Sequence, residues 1–469
     1  MIGTYWDPYV SNNPLAPSYS DSAAIRTDVA RFKLARSAYI NLITGKSNYA
    51  AFNGNPCHLG TSTGLANYLL YLGSRTGMYV LVANTRFHRN VFYNQDSAAV
   101  LTRYYTSLDP GRRSVFYGYN VRDEPDYLTS TTAALCGGRV DGSAPGNQSW
   151  AAYFRSNDTS RLAYINLYPR SPSTSEACYE AYLDDFLNPA DPSKALDVAS
   201  YDNYPFASNY PNGISPLYFY NLNVVRKKAG TRPMWVYPLT IEHVSGRTNY
   251  LSPSDEHFRF MAFCPIAYGA KGLVYFTYVL PNCPGNPDSC PQPTTPPNPF
   301  CGGTALVVGA DTPTAKFNKV KMLNHFITKL AGPMVMGSTW LGAYHKSSSP
   351  SAEVMRPEWL VNANRTPIVS NLSDPSSMVG VFRSNASPSV YYLLVVNKAL
   401  ASRTTTVTLK GNHTGNVMLA PTVVGYAGDT TYTSASTSYH PTVNQTTFTL
   451  KLSGGEGRQV RIKNVTSRS

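Results

Sequence analysis

Eight times along the first two-thirds of the chain, a short run of β-branched and aromatic residues gives way to a longer segment with apolar residues at helical spacing. A period of two followed by a period near 3.6 reads as a strand and then a helix. Repeated without long interruption, that rhythm demands parallel strands, because each helix must carry the chain back to the same end of the sheet. The strand-like runs go from Ile2 to Trp6, Tyr39 to Ile43, Met78 to Ala83, Val115 onward, Leu162 to Leu167, Leu196 to Tyr201, Met234 to Leu239 and Leu273 to Tyr278. Between and after them, helical spacing runs from Ser22 to Ser37, Thr61 to Gly73, Ser97 to Ser107, around Trp150 to Phe154, Glu176 to Phe186, Pro216 to Lys228, Asp255 to Tyr268 and Ala315 to Leu330. Eight such units predict an α/β fold, a (β/α)8 TIM barrel. An open doubly wound sheet would need a switch point and a glycine-rich phosphate loop, and the sequence has neither.

After about Gly332 the character changes. Short β-rich runs (Val379 to Phe382, Val390 to Val396, Thr404 to Leu409, Val417 to Leu419, Thr446 to Leu452, Gln459 to Ile462) alternate with Gly, Asn, Ser and Asp. This is the pattern of an antiparallel β-sandwich. The expected organisation is a barrel over residues 1–340 and a C-terminal antiparallel β-sandwich domain over 341–469.

In a barrel of this kind the active site lies at the C-terminal ends of the strands, so what each strand ends in matters most. The fourth, entered from a turn at Asp109-Pro110-Gly111, closes on Asp123-Glu124-Pro125. An unpaired carboxylate is costly to bury, so two acids at the tip of an apolar strand point to chemistry there. A strand-end turn capped by Asp123 is the plainer alternative for this one strand. Other strands end alike: Tyr5-Trp6-Asp7 on the first, Asn41 on the second, Asn84 on the third, Asn166 and Tyr168 on the fifth. The sixth runs Tyr201-Asp202-Asn203-Tyr204-Pro205-Phe206, the seventh Thr240-Ile241-Glu242-His243 and the eighth Phe276-Thr277-Tyr278. Acids and amides hydrogen-bond hydroxyls, and flat rings stack on the apolar faces of pyranoses, so this is the inventory of a carbohydrate site.

Glycoside hydrolysis needs two carboxyl groups, one to protonate the leaving oxygen and one to attack or to activate water. Glu124 and Glu242, ending strands four and seven, could flank a bound glycosidic bond. Asp123 and Asp202 are supporting acids, and Trp6, Asn84, Tyr119, Asn166, Tyr204 and Tyr278 are candidate sugar contacts. Alternatives stand beside these readings: Asp202 as a turn or helix cap, and Glu242 as a partner for Arg247 or His243. Cys264, in the apolar run Phe263-Cys264-Pro265, reads as inert core. His243 and His257 show no metal-ligand spacing, and neither a metal nor a cofactor is expected.

Composition narrows the class further. Charged residues make up only 14% of the chain while Tyr numbers 35, which suits a sugar-facing extracellular protein. The net charge of +13 is dispersed, its densest pairs being Arg112-Arg113 and Lys227-Lys228. Without an aromatic-interleaved basic stripe, a nucleic-acid partner is not expected. No apolar run is long enough to span a bilayer. Cys283, Cys290 and Cys301 sit in a Pro-, Asn- and Gly-rich loop where cross-links are useful, and sequons are dense toward the C-terminus. The sequence opens on a strand without the charged region of a leader. The expectation is a secreted protein whose leader lies outside this sequence.

An acid/base Glu on strand four and a nucleophilic Glu on strand seven form the arrangement of the clan A glycoside hydrolases, retaining enzymes on a (β/α)8 barrel. Four segments resemble bacterial members of that broad group: Tyr117 through Pro125, Tyr164-Ile165-Asn166-Leu167-Tyr168-Pro169, Ser200 through Phe206, and Gly269 through Phe276. The β-rich tail, with Gly454-Gly455-Glu456-Gly457 near its end, is similar to their accessory domains. The resemblance implies a retaining β-glycosidase acting on an oligo- or polysaccharide, with Glu124 as acid/base and Glu242 as nucleophile. One departure matters: Asp123 stands where clan A enzymes usually carry Asn. An Asp-Glu pair resembles instead the substrate-assisted hexosaminidases, whose Asp orients a 2-acetamido group that itself attacks the anomeric carbon. A barrel that binds glycans without cleaving them is the non-enzymatic alternative.

Overall fold

A strand of four residues closes the ring of the first part of the chain. In the computed structural model, β1 (Ile2–Tyr5) pairs in parallel with β2 (Leu42–Ile43) on one side and with β8 (Gly272–Phe276) on the other. Between them run β3 (Tyr79–Val82), β4 (Phe116–Asp123), β5 (Leu162–Leu167), β6 (Ala199–Asp202) and β7 (Met234–Tyr237), each beside its neighbour in sequence. The result is a closed parallel barrel of eight strands, which leaves no edge to pair with another chain. The structure describes residues 1–5, 8, 10, 23–45, 63–83, 95–125, 144–210, 213–245, 248–279, 304–308, 311–346, 359–361, 366–424 and 426–463.

The connecting helices are α1 (Ala23–Ser37), α2 (Thr63–Thr76), α3 (Gln95–Thr106), α4 (Pro110–Val115), α5 (Ala144–Asn157), α6 (Glu176–Leu187), α7 (Tyr218–Ala229), α8 (Asp255–Ala267) and α9 (Ala315–Phe326). Two local details differ from the sequence reading. Tyr39 has a φ of 62°, a left-handed conformation no strand can include, so β2 begins only at Leu42. Asp109-Pro110-Gly111 is a helix start rather than a turn. The Asp109 carboxylate accepts a hydrogen bond of 3.0 Å from the Arg112 amide, and Pro110 takes the first helical position. An acidic cap followed by proline serves a helix as well as it serves a turn. Within β4, Gly118 is required by close approach: a Cβ there would lie 2.3 Å from the Leu162 carbonyl oxygen of β5.

The described strands of the tail pair antiparallel. Its strands are β9 (Ser338–His345), β10 (Val369–Leu372), β11 (Ser377–Ser384), β12 (Tyr391–Asn397), β13 (Arg403–Lys410), β14 (Val417–Leu419), β15 (Thr433–Ser434), β16 (Ser438–His440), β17 (Gln445–Leu452) and β18 (Gly457–Ile462). They form a six-stranded sheet, β9-β11-β12-β18-β14-β15, and a four-stranded sheet, β10-β13-β17-β16. Alternation decides which side chains enter the core. In β13, Thr405, Val407 and Leu409 are buried, and they join Val381, Val395, Phe448 and Val460 between the sheets or at their margins.

By contacts the chain divides into two compact units that do not follow chain order. The first comprises Met1–Asn203, Val224–Ser252 and Gly272–Asn318, and holds all eight barrel strands; the second comprises Tyr204–Asn223, Pro253–Lys271 and Lys319–Ser469. Helix α8 therefore groups with the sandwich strands. The Gly454–Gly457 turn explains its attachment. Gly455 has a φ of +66°, and a Cβ on it would lie 2.2 Å from the Glu256 carbonyl oxygen of α8. Arg259 of α8 donates to the Gly454 carbonyl at 2.8 Å, and its other arm holds Glu256.

A polar line is buried in the same unit. Lys398, 1% exposed, places Nζ 3.1 Å from His345 Nδ1, while His345 Nε2 lies 2.6 Å from the Tyr268 hydroxyl. Burial depresses the Lys398 ammonium to about 7, against which Cys264 and Asp374 pull weakly upward. Burial, and secondly the Lys398 charge, hold His345 well below its usual range. An ordinary lysine titrates near 10.4. Through Lys398 the unfolded chain therefore binds more protons than the folded one from about pH 7 to pH 10, and stability should rise with pH across that window; the lowered His345 extends the same trend below the usual histidine range. Lys398→Met should remove this slope. Denaturant midpoints at pH 7 and pH 9 measure it: relative to the wild type, the variant is expected to stand higher at pH 7 than at pH 9, and parallel pH dependences would contradict the assignment.

Candidate active site

The end of β4 breaks strand regularity where the two adjacent acids stand. Glu124 has a φ of 46°, in the left-handed region that residues other than glycine seldom occupy. Its amide still donates to the Asn166 carbonyl of β5 at 2.8 Å, so the backbone keeps to the sheet while the side-chain alternation is interrupted. Consecutive residues of a regular strand would point to opposite faces. Here Asp123, Glu124 and Asp202 all act electrostatically on one phenol, that of Tyr5. Tyr182 of α6 steadies the turn beyond: its hydroxyl donates to the Pro125 carbonyl and accepts from the Tyr168 amide, each at 3.0 Å.

Register sets the rest. Asp123 lies opposite Asn166 across β4 and β5, Asn166 opposite Ser200 across β5 and β6, and Asp202 opposite Tyr237 across β6 and β7. The Asn166 amide nitrogen donates to Asp123 Oδ1 at 3.2 Å and to Asp202 Oδ1 at 3.1 Å, so one nitrogen joins both aspartates. From across the barrel, the Tyr5 hydroxyl donates to Asp123 Oδ2. Behind Asn166, Ser200 Oγ lies 3.3 Å from its Oδ1, the Tyr164 hydroxyl 2.7 Å from Ser200 Oγ, and the Tyr237 hydroxyl 2.6 Å from that of Tyr164. Burial first raises the phenols of Tyr5, Tyr164 and Tyr237 far above their usual range, and the charge of Asp123 adds to it in all three. These phenols stay protonated and act as donors. Among the described residues no group of three His, Cys, Asp or Glu side chains is placed to hold a metal ion.

The fold thus brings Asp123, Glu124, Asp202 and Asn166 together. Among the described residues no hydrogen bond joins Glu242 to them. The seventh strand is regular to Tyr237, and Pro238, which has no amide hydrogen, follows it. A single bridge from Leu239 to Phe276 and a 2.7 Å bond from the Thr240 amide to the Phe276 carbonyl follow. Ile241 is then buried and Glu242 exposed, at the base of a hairpin formed by His243–Ser245 and Thr248–Tyr250. Its electrostatic neighbour is Lys316, which burial lowers to about 8 and the Glu242 charge pulls back up. The Lys316 ammonium is bound at 2.7 Å to the carbonyls of both Thr240 and Thr304.

Two candidate sugar contacts prove to be interior residues. Tyr119 has no exposed surface; its ring stacks 3.8 Å from that of Phe154 on α5 and its hydroxyl donates to Asp158 at 2.9 Å. Parity counted from Asp123 would put it on the site's face, but the register of β4 shifts between Asn120 and Arg122, and Tyr119 packs on the helix side. Tyr278, beyond β8, is 1% exposed, and among the described residues its phenol oxygen has no partner. Tyr204 is 7% exposed and groups by contacts with the second unit. Trp6 and Asn84 lie outside the described residues.

Tyr5, Tyr164, Ser200 and Tyr237 belong to the site and were not among the residues expected there. Their signal was present as parity: Tyr164 is two residues before Asn166, and Ser200 two before Asp202, so each shares a face with a residue already suspected.

No family model matches the chain, and no curated protein matches it. Solved structures with a similar course include a GH30 endoxylanase from Clostridium papyrosolvens, at 11% identity over 98% of this chain and 95% of that one, with a TM-score of 0.44. A noncanonic maltogenic α-amylase from Thermotoga neapolitana is similar at 10% identity over 98% of both chains, with a TM-score of 0.46. A β-galactosidase from the haloarchaeon Halorubrum lacusprofundi is similar at 14% identity over 70% of this chain and 58% of that one, with a TM-score of 0.43. Likeness at this level does not carry an activity from one protein to another. Whatever chemistry this barrel performs has to be borne by its own side chains.

The interior position of Tyr119 can be checked directly. Tyr119→Phe keeps the stacked ring but strips Asp158, itself 8% exposed, of a donor. The expected loss is on the order of 1–3 kcal/mol of stability, read as a lower melting temperature, with glycan binding and turnover unaltered. A binding defect at unchanged stability would return Tyr119 to the list of ligand contacts.

Proposed function

We propose that the chain is a glycoside hydrolase cleaving a β-glycosidic bond in an oligo- or polysaccharide, with Glu124 as the group that protonates the leaving oxygen. The observation that carries this reading is the convergence of three carboxylates and one amide at the ends of β4, β5 and β6, with Asp123 and Asp202 held on a single amide nitrogen. Glycosidic cleavage requires a proton donor on one side of the scissile bond and a carboxylate that attacks the anomeric carbon, or activates water, on the other. The geometry favours Asp202 for that second role. Asp123 carries donors on both its oxygens and is better suited to hold the others in place. Glu242, the nucleophile implied by the clan A resemblance, is supported by that resemblance and not by its neighbours. The resemblance also supports retention, in which the second carboxylate forms a glycosyl-enzyme that water then opens.

Secretion belongs to the same proposal. It is supported by the scarcity of charge and by the disulfide state of Cys178, a bond that persists in oxidising compartments. Among the described residues no helix is long and apolar enough to cross a membrane.

A panel of activated aryl glycosides, with product anomers followed by NMR, tests the assignment. Asp202→Asn is expected to lower kcat/KM about a thousandfold or more, and Glu242→Gln only a few fold. Glu124→Gln should keep much of its first-step rate on a substrate with a good leaving group, which needs little protonation. A severe Glu242→Gln with a mild Asp202→Asn would reinstate Glu242 as nucleophile. A severe Asp123→Asn with turnover confined to 2-acetamido sugars would identify the substrate-assisted chemistry instead. Binding of glycans by every variant without release of sugar would make the barrel a binding module.

A further inference from the structure

The two aspartates of the site end a line of buried hydroxyl groups, and counting hydrogens along that line gives it a direction. A carboxylate oxygen only accepts, an amide NH2 only donates, and a hydroxyl has one hydrogen to give. Asn166 turns its nitrogen toward Asp123 and Asp202 and its oxygen toward Ser200. Ser200 uses its hydrogen on that oxygen, 3.3 Å away, so at the 2.7 Å contact behind it Tyr164 is the donor. Tyr164 then has no hydrogen left, and at the 2.6 Å contact Tyr237 donates to it. Tyr237, Tyr164, Ser200 and Asn166 are each 2% exposed or less, so bulk water does not offer any of them another partner. Every hydrogen in the line points toward the aspartates.

We propose that this one-way line is a positioning device for the site: it locks the Asn166 amide with its hydrogens on both aspartates, keeps Asp123 and Asp202 as anions, and so leaves Glu124 as the carboxyl that carries the proton. An amide nitrogen offers no lone pair to a protonated Oδ1, so neutralising either aspartate there would set hydrogen against hydrogen. The Tyr5 hydroxyl closes the remaining side of Asp123. Asp123, Glu124 and Asp202 all act on the Tyr5 phenol, and two fixed anions in one neighbourhood oppose the ionisation of a third carboxyl, the arrangement by which a carboxyl is kept protonated for acid catalysis. Ser200 and Tyr164 touch no substrate in this scheme and act through Asn166. The step from proton inventory to catalysis rests on the glycoside hydrolase reading; the inventory itself does not.

Ser200→Ala, with Ser200→Thr as the variant that restores the hydroxyl, separates the two. Carboxyl-carbon NMR titration of the whole chain needs no substrate. As pH rises, Asp123 and Asp202 should lose their protons before Glu124, and in Ser200→Ala the gap between them should narrow by roughly one pH unit and reopen in Ser200→Thr. On an aryl glycoside that the wild type cleaves, both limbs of the pH–rate profile should move inward in Ser200→Ala, whereas simple damage to the fold would lower the profile without moving its limbs. Glu124 deprotonating before either aspartate, or a gap unchanged in Ser200→Ala, overturns the lock. The expected titration in a protein that cleaves no glycoside keeps the lock and removes the hydrolase reading.

Discussion

Closure of the barrel through β1 is the constraint on which the rest of the first unit depends. Four residues, Ile2–Tyr5, supply the hydrogen bonds that join β2 to β8. Without them both neighbours would present unpaired strand edges. The last of the four, Tyr5, is also the residue whose hydroxyl reaches Asp123 on the far side of the barrel and whose ring packs at 5.3 Å from Phe276 and 5.9 Å from Tyr237. Thr277 pins that corner, its hydroxyl donating to the Tyr5 carbonyl at 2.6 Å. The same short strand therefore completes the sheet and fixes one wall of the acid cluster.

The chemistry of the site follows from how differently its acids are held. Asp123 and Asp202 hang on one amide nitrogen, and that nitrogen is held by a line of buried hydroxyls. Glu124 sits on a left-handed residue at the very end of the strand, which directs its carboxyl away from the regular alternation. Such a conformation costs on the order of 1–3 kcal/mol and persists where the surroundings enforce it. Here the Glu124 amide bonded to Asn166 and the Pro125 carbonyl bonded to Tyr182 do so. Glu242 has no comparable support and stands in solvent.

Much of this was legible in the sequence, and the remainder was hidden for identifiable reasons. The βα rhythm predicted eight parallel strands, and the bounds of β5, Leu162–Leu167, agree to the residue, because an isolated apolar run flanked by helices leaves little freedom. The acids of β4 and β6 and the amide of β5 were readable as polar residues where an apolar run stops. Where Glu242 would stand was not readable from hydrophobic pattern, because the chain stays paired to Phe276 through Leu239 and Thr240 and only then turns into a hairpin. Tyr119, four residues before Asp123, shares its parity, and only the register shift between Asn120 and Arg122, which spacing does not reveal, puts the two on different faces. β9 escaped notice since Gly342 and Trp340 disturb its alternation and its register shifts between them. The grouping of α8 with the sandwich strands depends on a backbone approach at Gly455 that spacing alone cannot show.

The central claim is that Asp123, Glu124 and Asp202 at the ends of β4 and β6 surround the reacting bond. A crystal structure of the Glu124→Gln variant with an oligosaccharide that the wild type cleaves tests it most directly. The account predicts the scissile oxygen within hydrogen-bonding reach of residue 124 and the anomeric carbon facing the Asp202 carboxylate, with Asn166 unmoved between the two aspartates. A sugar seated with its anomeric carbon against Glu242, and Asp202 remote from it, would contradict the account.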